Sequence, residues 1–164
     1  MPEIKPDQPL TASVLDRLID LEPGATREAP RSRSQVLREV KQAVRRDLEN
    51  LLNTRVRCVP WPAGLKEVRQ SLVNYGIPDV SAGSLASDKE RKEFCRTIEG
   101  VIGRFDSRLK KLKVTLVETP DPGDRTIRFH IEATLHAEPA VESLAFESSL
   151  RLSTGSFEVQ GGDR

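Results

Sequence analysis

Aromatic side chains are scarce in this chain: one tryptophan, one tyrosine and five phenylalanines in 164 residues. Sites that grip sugars or stack bases are built largely from such rings, so both kinds of site start poorly supplied. Cysteine is nearly absent. Cys58 and Cys95 lie far apart and form no CxxC pair, which leaves no disulfide framework and points to a reducing cytosol. His130 and His136 are the only imidazoles. Both fall on the polar side of an alternating stretch, and six residues of strand put them about 20 Å apart, too far to share a metal ion. A Cys–His nucleophile would have to be assembled across the fold. There is no Walker-type loop and no GxGxxG, so nothing in the sequence cradles a phosphate. No apolar run approaches the ~20 residues that cross a bilayer. The start, "MPEIKPDQPL", lacks the basic end and apolar run of a secretory signal. Net charge is missing too: 26 basic against 25 acidic residues leave +1, and no overall field draws the chain to nucleic acid or an anionic membrane.

What is present is helical and alternating periodicity in a length that predicts one domain with a modest core. Residues 1–33 read as a flexible segment, rich in proline, with a short amphipathic helix at "SVLDRLID" (13–20). Ser13 is its expected N-cap, and Val14, Leu15, Leu18 and Ile19 form its apolar side. So small an apolar helix, set apart by the linker "LEPGATREAPRSR", either folds back on the domain or docks on a partner. The main domain is expected over residues 34–159, with a disordered tail at 160–164. It opens with a helix from Ser34 to Asn53 whose stripe runs through Val40, Val44, Leu48 and Leu51, with Arg38, Lys41, Arg45 and Glu49 facing outward. A short helix is expected at 65–73, followed by the tight turn of "NYGIPD" (74–79). Ser87 and Glu90 make a capping box for a second long helix, 88–104. Three alternating stretches then predict strands, with Ser148 interrupting the apolar set of the third, and Phe157–Val159 can add a fourth. The expected fold class is α+β, with helices packed on one face of a small, mainly antiparallel three- to four-stranded sheet.

Charge is unevenly spread even though it sums to almost nothing. Residues 31–57 hold eight Lys or Arg against three acids, and residues 104–113 hold five against one. A nucleic-acid adaptor is one reading of these clusters. Lysines 110, 111 and 113 alternate with core positions on one strand, however, and lysines on an exposed strand discourage unwanted edge pairing without any ligand. Glu99 and Asp106, seven apart, are the nearest approach to a glycosidase pair. Two helical turns separate them by about 10 Å, and a cell-wall hydrolase would also need export.

One stretch poses a sharper question. "IEGVIGRFDSRLKKLKVTLV" (98–117) passes from helical spacing to strand alternation through Phe105-Asp106-Ser107-Arg108, with no glycine or proline at the change. That joint, together with "SVLDRLID", "VKQAVRRDLENLLNTR" and "SLVNYGIPD", resembles the TssE family of type VI secretion baseplate wedge subunits. That family is related to the small, so-called lysozyme-like wedge protein of phage baseplates. Its Glu-Pro-Arg signature is matched here by Asp106, Ser107 and Arg108; the acid is one methylene shorter and the proline is lost. The resemblance implies that this joint is a contact site, with Arg108 expected to project outward to a partner; the other reading is that Asp106 pairs with Arg108 and only stiffens the corner. It further implies a non-enzymatic structural subunit without cofactors. Implied partners are TssF and TssG in the wedge and the sheath proteins TssB and TssC, with TssK and the hub-spike as further candidates. Neither nucleic acid nor direct membrane insertion is expected. The sheet would template the sheath by strand addition, in the cytoplasm of a Gram-negative bacterium with the baseplate docked at the inner membrane. The "lysozyme" label does not carry over, because no convincing catalytic pair is present.

Overall fold

A computed structural model of the chain describes residues 13–19, 23–24, 32–57, 61–62, 64–65, 67–79, 85, 87–117, 126–137 and 140–161. The start expected to be flexible, most of the expected linker, Cys58, residues 80–84 and the stretch "PDPGD" (120–124), which reads as a turn in the sequence, lie outside the described residues.

Helix α1 is the single short turn Val14–Leu18, capped by the Ser13 side chain. Helix α2 spans Arg33–Asn53 and begins one residue before the expected Ser34, because a capping box between Ser32 and Gln35 satisfies its first amides. The stretch expected as a short helix is instead two 3-10 turns, Glu67–Gln70 and Leu72–Asn74. The carbonyl of Val68 accepts from the Ser71 amide and hydroxyl and from the Asn74 side chain. Such local polar bonds compete with helix continuation. Helix α3, Asp88–Phe105, starts at the expected box of Ser87 and Glu90.

Four strands complete the domain: β1 (Leu109–Val117), β2 (Thr126–Ala137), β3 (Ala140–Arg151) and β4 (Ser156–Gly161). They form one antiparallel sheet in the order β1-β2-β3-β4, as period-two alternation predicts. β4 is a full strand, continuing two residues past Val159. α3 lies along β1 and α2 along β4. Between sheet and helices sits the core, in which Val44, Leu48, Leu52, Ile98 and Ile102 meet Phe129, Ile131, Leu135, Phe146 and Leu150. Ser148 belongs to this inward set: it is buried beside Phe129 and Val159, and among the described residues its hydroxyl has no hydrogen-bond partner.

The "NYGIPD" turn returns to the end of α2. Ile77 donates to the Thr54 carbonyl and accepts from Val56, both at 2.9 Å, forming a parallel bridge between Arg55 and Ile77. Gly76 makes this approach possible. Its φ is +115°, and a Cβ there would stand 2.4 Å from the Thr54 carbonyl oxygen.

Candidate partner-binding site

The joint between α3 and β1 makes its turn with a carboxylate. Asp106 caps α3, its amide donating to Ile102 at 2.9 Å. Its own Oδ1 accepts the amide of Arg108 at 3.1 Å, an Asx turn that does the work normally given to glycine or proline. The Leu109 amide then reaches the Asp106 carbonyl, and His136 donates to the Arg108 carbonyl at 2.8 Å, so β1 is paired from its first residue. The Asp-Ser-Arg sequence therefore needs no rigid proline to turn.

Arg108 does not project outward as expected. It lies against its own chain, with Nε 2.9 Å from Asp106 Oδ1 and Nη2 2.7 Å from Asp106 Oδ2. Nη2 also donates to Asp47 Oδ2 on α2 at 2.7 Å. The Asp106 side chain is 8% exposed and that of Arg108 27%, so the two-pronged pair is largely shielded from water. Its hydrogen bond to Asp106 outweighs burial and raises the Arg108 pKa further. Among the described residues, Nη1 of Arg108 has no bonded partner, and Ser107 beside it is exposed.

The ion pairs continue away from the joint. Arg46 donates to its neighbour Asp47 at 3.1 Å and to Asp16 of α1 at 2.8 Å. Asp16, Arg46, Asp47, Arg108 and Asp106 thus alternate in sign from the N-terminal helix to the start of β1. Partial burial works against the Asp16 carboxylate, but hydrogen bonds from Ser13 and Arg46 hold its pKa below the usual value. Tyr75 of "NYGIPD" stands edge-on to Phe105, with ring centroids 5.2 Å apart. Burial, and then Asp47 and Asp106, push its hydroxyl pKa up. α1 is therefore held to the domain through its polar side. Val14, Leu15, Leu18 and Ile19 all remain exposed, Leu18 at 77%.

The carboxylates once paired as a glycosidase candidate have other tasks. Asp106 holds Arg108, and Glu99 Oε1 accepts the Val114 amide of β1 at 2.7 Å. His130 is bound by Glu147 and lies 3.4 Å from Glu132 on the outer face of the sheet. Among the described residues no group of three His, Cys, Asp or Glu side chains could hold a metal ion. Cys95 is buried in the core, and burial raises its thiol pKa.

The model of one family, baseplate wedge protein gp25, matches residues 38–140. That match runs from the first turns of α2, through the joint, to the first residue of β3. The chain belongs to the baseplate wedge protein gp25 family. A structural role in a baseplate follows from the membership, and the resemblance read from the four sequence stretches is borne out. Among solved structures, the chain is similar to one in "The baseplate complex from the type VI secretion system", at 19% identity and a TM-score of 0.48. That likeness covers 70% of this chain and 96% of the other. No curated protein matches. Among the described residues no helix is long and apolar enough to cross a membrane.

The two groups of residues singled out from sequence turn out to be joined. Asp106 and Arg108 connect through Asp47 and Arg46 to Asp16, on the helix that carries Val14, Leu15, Leu18 and Ile19. Sequence reasoning missed Asp47, which reads as one acid in a basic helix 61 residues before its partner. It also read Arg45 as facing outward, whereas Nη1 reaches the Val159 carbonyl of β4 at 3.2 Å.

Proposed function

We propose that this chain is a non-enzymatic wedge subunit of a type VI secretion baseplate, binding TssF and TssG and templating a contractile sheath by strand addition. Family membership over residues 38–140 carries this reading. The folded chain supplies two surfaces suited to it. At the joint, Arg108 offers Nη1 next to the exposed Ser107, while its other nitrogens are fixed by Asp106 and Asp47. A guanidinium held in this way loses little freedom on meeting a partner carboxylate or carbonyl. On α1, Val14, Leu15, Leu18 and Ile19 present apolar area beside the same ion chain. Buried under a partner, such side chains supply hydrophobic contact around a polar anchor. The sheath subunits TssB and TssC would extend the sheet, using backbone hydrogen bonds for affinity and alternate side chains for register. The site of action is the cytoplasmic side of the inner membrane.

Co-expression of this chain with TssF and TssG, followed by size exclusion, tests the reading. Co-elution of all three is expected, together with loss of fluorescent sheath foci in cells lacking the chain. Elution of this chain alone, with foci unaffected by its deletion, would remove the wedge assignment.

A further inference from the structure

β1 and β4 are the two edges of the sheet, and they are not equally available. At β4 the Asn53 amide donates to the Phe157 carbonyl at 2.9 Å and accepts the Phe157 amide at 2.8 Å. Arg45 donates to the next outward carbonyl, that of Val159. Side chains of α2 thus meet three outward backbone groups of β4 where a fifth strand would pair.

β1 is finished differently. Its first part is bulged between Lys110 and Lys113, with Lys111 at φ +49°, a conformation that breaks regular pairing. From Lys113 to Val117 the strand pairs regularly with β2. The Val114 amide points away from β2 into the Glu99 carboxylate. The alternation of an antiparallel ladder turns the Val114 carbonyl and both backbone groups of Leu116 outward in the same way. Among the described residues, no group is bonded to those three.

We propose that the β1 edge from Lys113 to Val117 is the strand-accepting edge of this sheet. Glu99 is its removable stopper, and the occupant is an extended segment of another protein bearing carboxylate side chains. The inference rests on the strand-addition reading above and specifies its site. Glu99 Oε1 stands where a carbonyl oxygen of an added strand would sit. Exchanging one acceptor for another at Val114 is close to neutral, so the gain comes from the remaining outward groups and from covering the half-buried Leu116. Charge selects the occupant. Lys110, Lys111 and Lys113 are exposed, and among the described residues none of them is in an ion pair. A second copy of this chain would bring lysine to lysine, which like-charge pairing disfavours, whereas alternate carboxylates are matched.

The test titrates the full-length protein with a synthetic decapeptide of alternating valine and glutamate, following backbone amides by NMR. The Val114 and Leu116 signals should move and exchange more slowly, with those of Phe157 and Val159 unchanged. Glu99→Ala should tighten binding by about fivefold, and Glu99→Gln, which keeps an acceptor for Val114, should behave like the parent. Alternating valine and lysine should bind at least roughly tenfold more weakly. Leu116→Pro removes an outward donor without touching the β2 ladder and should abolish binding while the β2 amides keep their shifts. Movement of β4 amides would overturn the edge assignment and leave strand addition standing. No peptide binding to either the parent or Glu99→Ala, alongside intact co-elution with TssF and TssG, would discard this edge and leave the wedge role. Equal binding of the two peptides would overturn the acidic occupant.

Discussion

The sheet has two edges, and helices close them by different chemistry. Along β4 the closure is an amide: Asn53 gives one bond to Phe157 and takes one. Along β1 it is a carboxylate, Glu99, holding one amide only. A side-chain amide carries both a donor and an acceptor and can stand in for a strand's peptide group. An ionised carboxylate accepts only, so it can never satisfy the outward carbonyls beside it. The first closure meets both backbone groups of Phe157, with Arg45 taking the Val159 carbonyl, and the second leaves more work for another chain. The ends of the helices differ in the same sense. α2 is pinned by neutral backbone bonds to Ile77, whereas α3 ends in the ion pairs of Asp106, Arg108 and Asp47.

The strongest way to break this contrast is to move the end of α2. Gly76→Ala sets a Cβ against the Thr54 carbonyl at a positive φ, and a loss of about 2–3 kcal/mol is expected. Urea unfolding measures it. Faster exchange of the Phe157 amide should accompany it, since Asn53 moves with Thr54. Unchanged stability would mean that the turn adapts freely.

Arg108→Ala comes next, and it acts on the charged side. It leaves the buried Asp106 carboxylate without its cation, which costs several kcal/mol in a dry site. With Arg108 27% exposed, about 2 kcal/mol is the expected loss, read from the same unfolding curves. An arginine that projected outward, as expected from the sequence, would be removable within about 0.5 kcal/mol. A loss that small would mean water replaces the guanidinium, leaving Arg108 to partners alone.

Asn53→Ala reopens the β4 edge. Two hydrogen bonds to Phe157 are lost but water can reach both groups, so about 1–2 kcal/mol is expected. The variant also sharpens the comparison, because the valine–glutamate peptide should now perturb β4 amides as well. If it does not, an amide on α2 was not what kept β4 closed.

The smallest expected effect is a gain. Ser148, on β3 between the two edges, buries a hydroxyl with no partner among the described residues. Ser148→Ala should raise stability by about 0.5–1 kcal/mol, visible as a higher melting temperature. A lower one would show that the hydroxyl is satisfied after all.

Much of this was legible in the chain itself. The capping box of Ser87 and Glu90, the stripe of α2 and the alternation of the strands depend on residues three, four or two apart, and local geometry is enough to read them. The Asx turn at Asp106 is equally local, although its carboxylate was read as a contact rather than as the turn. Asp47, Asn53 and Glu99 could not be read. Their partners lie 61, 104 and 15 residues away, and a polar residue on a helix flank looks the same in sequence whether it faces water or an edge strand.

The sequence by itself determined the α+β class, the helix starts and the family, because those rest on periodicity, caps and short motifs. Only the tertiary structure decided which edge of the sheet is closed and where Arg108 points. Both outcomes depend on α2 and α3 lying along opposite edges, and the pairing of distant polar groups is fixed by that packing rather than by any spacing along the chain.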